Sequence, residues 1–158
     1  MDEKFKNLPL RKGVGIIVLN NKNKVFVAKR IDNSQNFWQM PQGGVDPGED
    51  FLTAAYRELE EETSITKVKL IKEIEGLISY QLPNHLLGKI WKGKYKGQEQ
   101  KWFLMRFLGE DRDINIKTKK PEFLEWKWIE LDEITELVVD FKLHVYKHLQ
   151  KKIRKIIN

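Results

Sequence analysis

The chain contains no cysteine. That excludes disulfides, thiolate metal sites and cysteine nucleophiles, and it suits a reducing compartment. Long apolar runs are missing too: uninterrupted hydrophobic stretches last only a few residues, far below the roughly 18 needed to span a bilayer. The opening MDEKFKNLPLRKG has acidic residues and no apolar segment of signal-peptide length, so a cytoplasmic protein without membrane attachment is expected. Histidines are scarce. His144 and His148 stand four apart, but no third ligand or HExxH pattern accompanies them, and they read as helix-surface residues. With no repeat, linker or low-complexity segment, residues 1–158 are expected to form one domain.

What is present is charge. Apolar residues make up 41% and charged residues 33%, the balance of a well-solvated globular chain. The net charge is +6, which steers polyanions toward the protein. Basic residues gather from Lys89 to Lys101, from Lys117 to Lys120, and at Lys151, Lys152, Arg154 and Lys155. Any one of these clusters reads equally as solubilising surface.

Val14 to Leu19 and Lys24 to Ala28 flank the polar stretch Asn20 to Asn23, predicting a β-hairpin. Phe37 to Met40 is short, aromatic and stopped by Pro41, which predicts a strand end. The stretch QGGVDPGE, Gln42 to Glu49, is expected to be an irregular loop. Helical spacing begins at Phe51: Leu52, Ala55, Tyr56 and Leu59 form one apolar stripe behind the N-cap candidate Asp50. Strands are predicted at Val68 to Ile74, Trp102 to Leu108 and Phe123 to Ile129, with Pro83 to Gly97 as a basic loop or irregular hairpin. The chain ends in a helix carrying Phe141, Val145, Leu149, Ile153 and Ile156 on one face. Trp38, Trp102, Trp126 and Trp128 are read mainly as core or cavity wall. The sum is a mixed α/β (α+β) fold.

The chemistry is carried by the helix after Phe51. In the run RELEEE, Glu58, Glu61 and Glu62 fall within an arc of roughly 100°, on a different side from the apolar stripe. Three carboxylates so close repel one another, and a cation resolves the repulsion. Hard oxygen donors of this number suit Mg²⁺ or Mn²⁺. A solvated acidic face, paired to the many lysines, is the plainer alternative for the helix by itself. The preceding GGVDPGE alters the balance, because its glycines let backbone approach a phosphate beside a helix N-terminus.

In register, Gly43, five residues, Glu49, seven residues, then Arg57-Glu58-Leu59-x-Glu61-Glu62 resembles the Nudix box, G-x5-E-x7-R-E-U-x-E-E-x-G-U, with U a bulky aliphatic. Ile65 fills the last aliphatic position. Ser64 stands where the family carries glycine, at a helix end where a left-handed residue is usually wanted. WQMPQGG, QKWF at Gln100 to Phe103, and PEF…W.W at Pro121 to Trp128 are similar to the bacterial RNA pyrophosphohydrolase and dinucleoside polyphosphate hydrolase branch, so the resemblance runs from about Gly13 to about Lys147.

The resemblance implies an α/β/α sandwich with a mixed sheet between helices. It implies that Glu58, Glu61 and Glu62 bind Mg²⁺ or Mn²⁺, other divalent metals being possible, that Gly43 offers its carbonyl, and that Arg57 and Glu49 pair to hold the loop. A further glutamate from outside the box corresponds to Glu122, with Glu125 in reserve. Either also reads as a strand-edge surface residue. Glu58 and Glu122 are the candidates for general base. Phosphate oxygens would be held by Arg11, Lys29, Arg30 and Lys101. Phe141 stacks on a base or simply heads the apolar stripe, and Tyr80 is a weaker stacking candidate. The expected reaction is metal-dependent hydrolysis of a phosphoanhydride at a triphosphorylated RNA 5′ end or in a dinucleoside polyphosphate. A catalytically silent RNA-binding module is the alternative of another class. Neither membrane nor DNA-specific binding is expected, and a monomer is favoured.

Overall fold

The computed structural model describes residues 3–32 and 35–157. In chain order its elements are α1 (Glu3–Lys6), β1 (Leu10–Leu19), β2 (Val25–Arg30), β3 (Gln42–Gly44), α2 (Phe51–Thr63), β4 (Val68–Glu73), β5 (Ile78–Gln81), β6 (Gly97–Phe107), β7 (Phe123–Ile129), α3 (Ile134–Leu137) and α4 (Leu143–Ile157). Turns of 3-10 helix at Ile90–Gly93 and Asp140–Lys142 flank the region that matters most for function.

The sheet is built on β1, whose residues Val14 to Leu19 are wholly buried. A strand covered on both faces reads as a continuous apolar run rather than an alternation. Val14, Ile16 and Val18 pack with Ala54, Ala55 and Leu59 of α2. Ile17 and Leu19 pack with Val145, Tyr146, Leu149 and Ile153 of α4. Beside β1, β6 runs parallel from Leu10↔Gly97 to Leu19↔Arg106, in the order β4-β6-β1-β2-β7. The mixed sheet between helices is the architecture expected. Among the described residues, no helix is long and apolar enough to cross a membrane.

The predicted hairpin of β1 and β2 forms, with the turn closed by Asn20 N donating to Lys24 O at 3.0 Å. The two strands then splay, for only Leu19↔Val25 pairs directly. Chain from Gln39 to Gly44 wedges into the gap. Gln39 and Ala28 exchange two hydrogen bonds of 2.8 Å, and Ile16 N donates to Pro41 O at 2.9 Å. Then β3 pairs antiparallel with β1 from Gly13↔Gly44 to Gly15↔Gln42.

Two expectations are corrected here. Gln42 to Gly44 is a strand rather than irregular loop, because the open edge of β1 supplies partners that outweigh glycine's local preference. Phe37 to Met40 contributes one isolated bridge, through Gln39, instead of a strand end. β5 was not expected; it pairs with the first part of β6 from Ile78↔Gln100 to Gln81↔Gly97, so β6 begins at Gly97 rather than Trp102. Pro83 to Lys96 is irregular, as expected.

Candidate active site

Helix α2 is defined at both ends. Asp50 accepts a hydrogen bond from Thr53 N at 2.7 Å, satisfying one of the free donors of the first turn. Ala54, Ala55 and Leu59 are buried, whereas Tyr56, expected in the stripe, is 38% exposed. At the C-terminal end Ser64 adopts the left-handed conformation, φ 66° and ψ 9°. Serine therefore occupies the family's glycine geometry. Its Oγ donates to Asn115 O at 2.8 Å, which offsets part of the steric cost of that backbone.

Arg57 locks the loop to the helix. Its Nε and Nη2 donate to the two oxygens of Glu49 at 2.8 and 2.9 Å, the paired geometry a guanidinium favours. Nη2 also donates to Gly44 O at 2.9 Å, and Nη1 to Glu58 and Glu61 at 2.9 and 3.1 Å. The Arg57 hydrogen bonds hold the Glu49 carboxyl down to about 2. Glu49 in turn accepts from Asp46 N at 3.0 Å, which shapes the loop. Gly43 lies where any Cβ would overlap the Glu58 carboxyl, and a Cβ on Gly44 would overlap the Arg11 guanidinium. A side chain at either position would displace one of these two functional groups.

The carboxylates do not all project outward as the arc suggested. Glu62 is buried, 3% exposed, and its Oε2 has no hydrogen-bond partner. Burial, then repulsion from Glu122 and Glu58, push its carboxyl well above the usual range. Burial raises Glu58 as well, against the pull of Arg57. Glu61 is the most exposed of the three, its side chain 58% exposed and ion-paired to Arg57. Among the described residues no three His, Asp or Glu side chains stand close enough to hold a metal ion as they are.

Glu58, Glu62, Glu122 and Gly43 line a cleft of about 860 Å³, and Glu61, predicted with them, is not among its lining residues. Arg11, Arg30 and Lys142 line the same cleft, with Tyr80, Phe141 and Trp91. Arg30 is oriented by Asp32, which accepts from its Nε and Nη2 at 2.9 and 3.0 Å. Glu122 lies 3.9 Å from Arg30 Nη1. Phe141, in the turn before α4, packs against the apolar core and also faces the cleft, 5.8 Å from the Tyr80 ring. Behind them, Tyr80 donates to Gln98 Oε1 at 3.3 Å and accepts from Gln42 Nε2 at 3.3 Å, and fully buried Gln100 bridges Gln42 and Gln98. This buried amide ladder sets the back of the cleft.

Of the predicted residues, Glu58, Glu62, Glu122, Gly43, Arg11, Arg30, Tyr80 and Phe141 meet at the cleft. Lys101 does not. Strand alternation sends Gln100 and Trp102 toward the α4 face and Lys101 to the other, where it pairs with Glu73 at 3.2 Å. Lys29, just before the register break in β2, and Glu125, which pairs with it across β7, also lie off the cleft. His144 is tied to Ser79 O at 2.8 Å.

Lys142, Asp32 and Trp91 were missed. Lys142 is the notable one: burial, and then Arg30, lower its ammonium to about 7, and its Nζ sits 5.3 Å from the centre of the Tyr80 ring. Its only sequence signal was adjacency to Phe141.

A mixed sheet between two helices, with a glycine strand locked by arginine onto a glutamate-rich helix, defines a Nudix-type fold and site. A family model described as NUDIX domain matches residues 9–149, and the chain belongs to that family. It is similar to a Pelagibacter ubique protein named RNA pyrophosphohydrolase, 73% identical over 158 residues and covering 100% of both chains. A Rhodospirillum rubrum protein of the same name is 49% identical over 142 residues, 90% of this chain and 86% of that one. Among solved structures, the E. coli dihydroneopterin triphosphate pyrophosphohydrolase superposes with a TM-score of 0.71 at 20% identity, over 91% of this chain and 99% of that chain. A C. elegans Ap4A hydrolase gives 0.64 at 19% identity, over 90% and 98%. At such identities the structures speak for the fold alone.

Proposed function

We propose that the protein is a divalent-metal-dependent RNA pyrophosphohydrolase, acting in the cytoplasm as one Nudix unit, that converts triphosphorylated RNA 5′ ends to monophosphates and so opens messages to decay. The observation that carries this reading is the convergence of Glu58, Glu62 and Glu122 with Arg11, Arg30 and Lys142 in one cleft. The shared name of relatives at 73% and 49% identity supports RNA as the substrate.

The chemistry of the donor set suits a divalent cation. A buried carboxyl with an unpartnered oxygen, repelled by two neighbouring carboxylates, is a site short of positive charge. Glu58, Glu62, Glu122 and the Gly43 carbonyl would hold Mg²⁺ or Mn²⁺, with Glu61 adjacent on α2. Such an ion offsets phosphate charge and activates a water for in-line attack on phosphorus. The chain's own groups do the rest. Arg11, Arg30 and Lys142 bind phosphate oxygens, Phe141 and Tyr80 supply ring faces for a base, and Glu58 or Glu122 takes the proton of the attacking water. The water oxygen forms the new bond to phosphorus as the anhydride P–O bond breaks, and pyrophosphate, or phosphate in two steps, leaves.

The test is release of phosphate or pyrophosphate from 5′-triphosphorylated RNA with and without Mg²⁺, beside diadenosine tetraphosphate. Mg²⁺-dependent release favouring RNA supports the proposal. Faster cleavage of the dinucleotide points instead to a nucleotide-pool enzyme. A native protein and a Glu61→Gln variant that bind RNA equally and hydrolyse nothing would mark a silent binding module.

A further inference from the structure

The loop between β5 and β6 has features that binding a triphosphate does not require. No aspartate or glutamate occurs between Glu75 and Glu99. Within that stretch Lys89, Lys92 and Lys94 are exposed and make no side-chain hydrogen bond or ion pair among the described residues. They stand in the same segment as residues that line the cleft, His85, Leu86, Ile90 and Trp91. One edge of the cleft therefore continues outward as unpaired positive charge.

The loop is also held in an unfavourable backbone. Trp91 and Lys92 lie in the left-handed region, φ 52° and 57°, a conformation that costs a non-glycine residue about 1–2 kcal/mol. It is anchored by its neighbours: Leu82 N donates to Lys96 O at 2.8 Å, Lys96 N to Pro9 O at 3.1 Å, and Leu87 is buried. The outcome is a tryptophan set over Arg11, 5.2 Å from the guanidinium carbon to the ring centre. Strain maintained in a well-anchored loop, placing a partly exposed aromatic at the edge of a cleft, is a pattern of binding segments.

We propose that this loop is a second RNA contact, outside the phosphate-binding wall: Trp91 stacks a base, and Lys89, Lys92 and Lys94 follow the backbone phosphates downstream of the reacting end. The inference rests on the RNA reading above. Single-stranded RNA is the partner that fits, because it brings a regular series of phosphates out of the cleft together with bases able to stack on an aromatic. A dinucleoside polyphosphate concentrates its charge inside the cleft and has none to offer the three lysines.

The experiment compares the native chain with Lys89→Gln/Lys92→Gln/Lys94→Gln and with a charge-matched control, Lys117→Gln/Lys119→Gln/Lys120→Gln. Substrates are a triphosphorylated dinucleotide and a single-stranded RNA of about ten nucleotides, long enough to cover a typical single-strand site. Each phosphate contact on a single strand contributes about 0.7 to the slope of log affinity against log salt. Losing three contacts lowers the slope by about 2, equivalent to about 20-fold between roughly 50 and 200 mM salt. The loop variant is expected to lose that much salt sensitivity in kcat/KM on the long RNA, retain native activity on the dinucleotide, and differ from the control. Fluorescence anisotropy of the long RNA without divalent ion reads the surface independently of turnover. A loop-dependent salt slope there sustains the contact even if no RNA is hydrolysed, in which case the proposed function falls alone. An unchanged slope, an equal effect of the control, or an equal loss on both RNAs overturns the inference.

Discussion

Glu62→Gln should make the metal-free protein more stable while impairing it as an enzyme. Glu62 is 3% exposed, one oxygen lacks a partner, and Glu122 and Glu58 repel its charge. Because burial raises its pKa in the folded state, the folded chain binds this proton more tightly than the unfolded one. Stability is therefore fully present below the unfolded value of 4.5 and falls as pH rises toward the folded value. An amide carries no charge and can donate to the adjacent carboxylates. Relief of one unsatisfied buried group is worth about 1–3 kcal/mol, which for a chain of this size is about 3–10 °C in Tm.

The same substitution removes a proposed ligand. At a metal concentration about 100 times Kd, a native-state ligand adds about 2.7 kcal/mol, so Mg²⁺ should raise the native Tm and leave the variant nearly unmoved. Calorimetric or fluorescence melts at neutral pH, in chelator and in saturating Mg²⁺, give the four values required. Should the glutamine variant melt below native protein in chelator, or gain as much from Mg²⁺, the account of a site short of positive charge is refuted.

Gly43→Ala places a Cβ inside the Glu58 carboxyl's space. Displacement of a reacting group by about 1 Å can cost about 10²-fold, so kcat should drop by that order with the circular dichroism spectrum unchanged. Ser64→Ala keeps the left-handed backbone but loses the bond to Asn115 O, a loss of about 1 kcal/mol in urea unfolding. Ser64→Gly loses the same bond and relieves the strain, leaving stability within about 1 kcal/mol of native. Tyr146→Phe strands the buried Met40 N–H, which donates to the Tyr146 hydroxyl at 2.7 Å, and should cost about 1–3 kcal/mol by the same assay. Lys142, lowered to about 7 by burial, is an ammonium below that pH and an amine above it. KM should therefore climb as pH rises past neutrality, whereas in Lys142→Arg, whose side chain stays charged, the climb should flatten.

What could be read from the chain was what is local. The α2 stripe and cap, the hairpin turn and the Gly43–Glu49–Arg57 register depend on residues close in sequence, and each has its own periodicity or spacing. Lys101 shows the limit. Its neighbours Gln100 and Trp102 face the cleft side of the sheet, but the parity of a strand cannot be assigned until its partners are known. The strand Gln42–Gly44 was hidden for a similar reason, since its partner edge exists only because β1 and β2 diverge after a single pair. Lys142 and Trp91 carry no spacing signal; one is placed by a turn before α4 and the other by a strained loop. Burial of Glu62 could not be inferred from a helical wheel, because the wheel knows the helix axis and not the wall it meets.

The spacing within the box follows from these contacts. Once β3 is seated against β1, Gly44 offers its carbonyl to Arg57 and Gly43 yields its side-chain volume to Glu58. The chain must then leave the sheet, turn through Asp46, and return Glu49 to the same guanidinium before α2 begins at Phe51. Five residues between Gly43 and Glu49 close that turn, and two helical turns carry the chain from Asp50 to Arg57 on the face that meets it. Glu58, adjacent to the lock, and Glu62, four residues on, are consequently fixed relative to β3 rather than merely to the helix. A one-residue insertion in the loop would leave the buried residues of both cores in place and still separate arginine from its glutamate. The register of Gly43, Glu49 and Arg57 is therefore set by loop length and by the guanidinium that closes it, not by the hydrophobic cores.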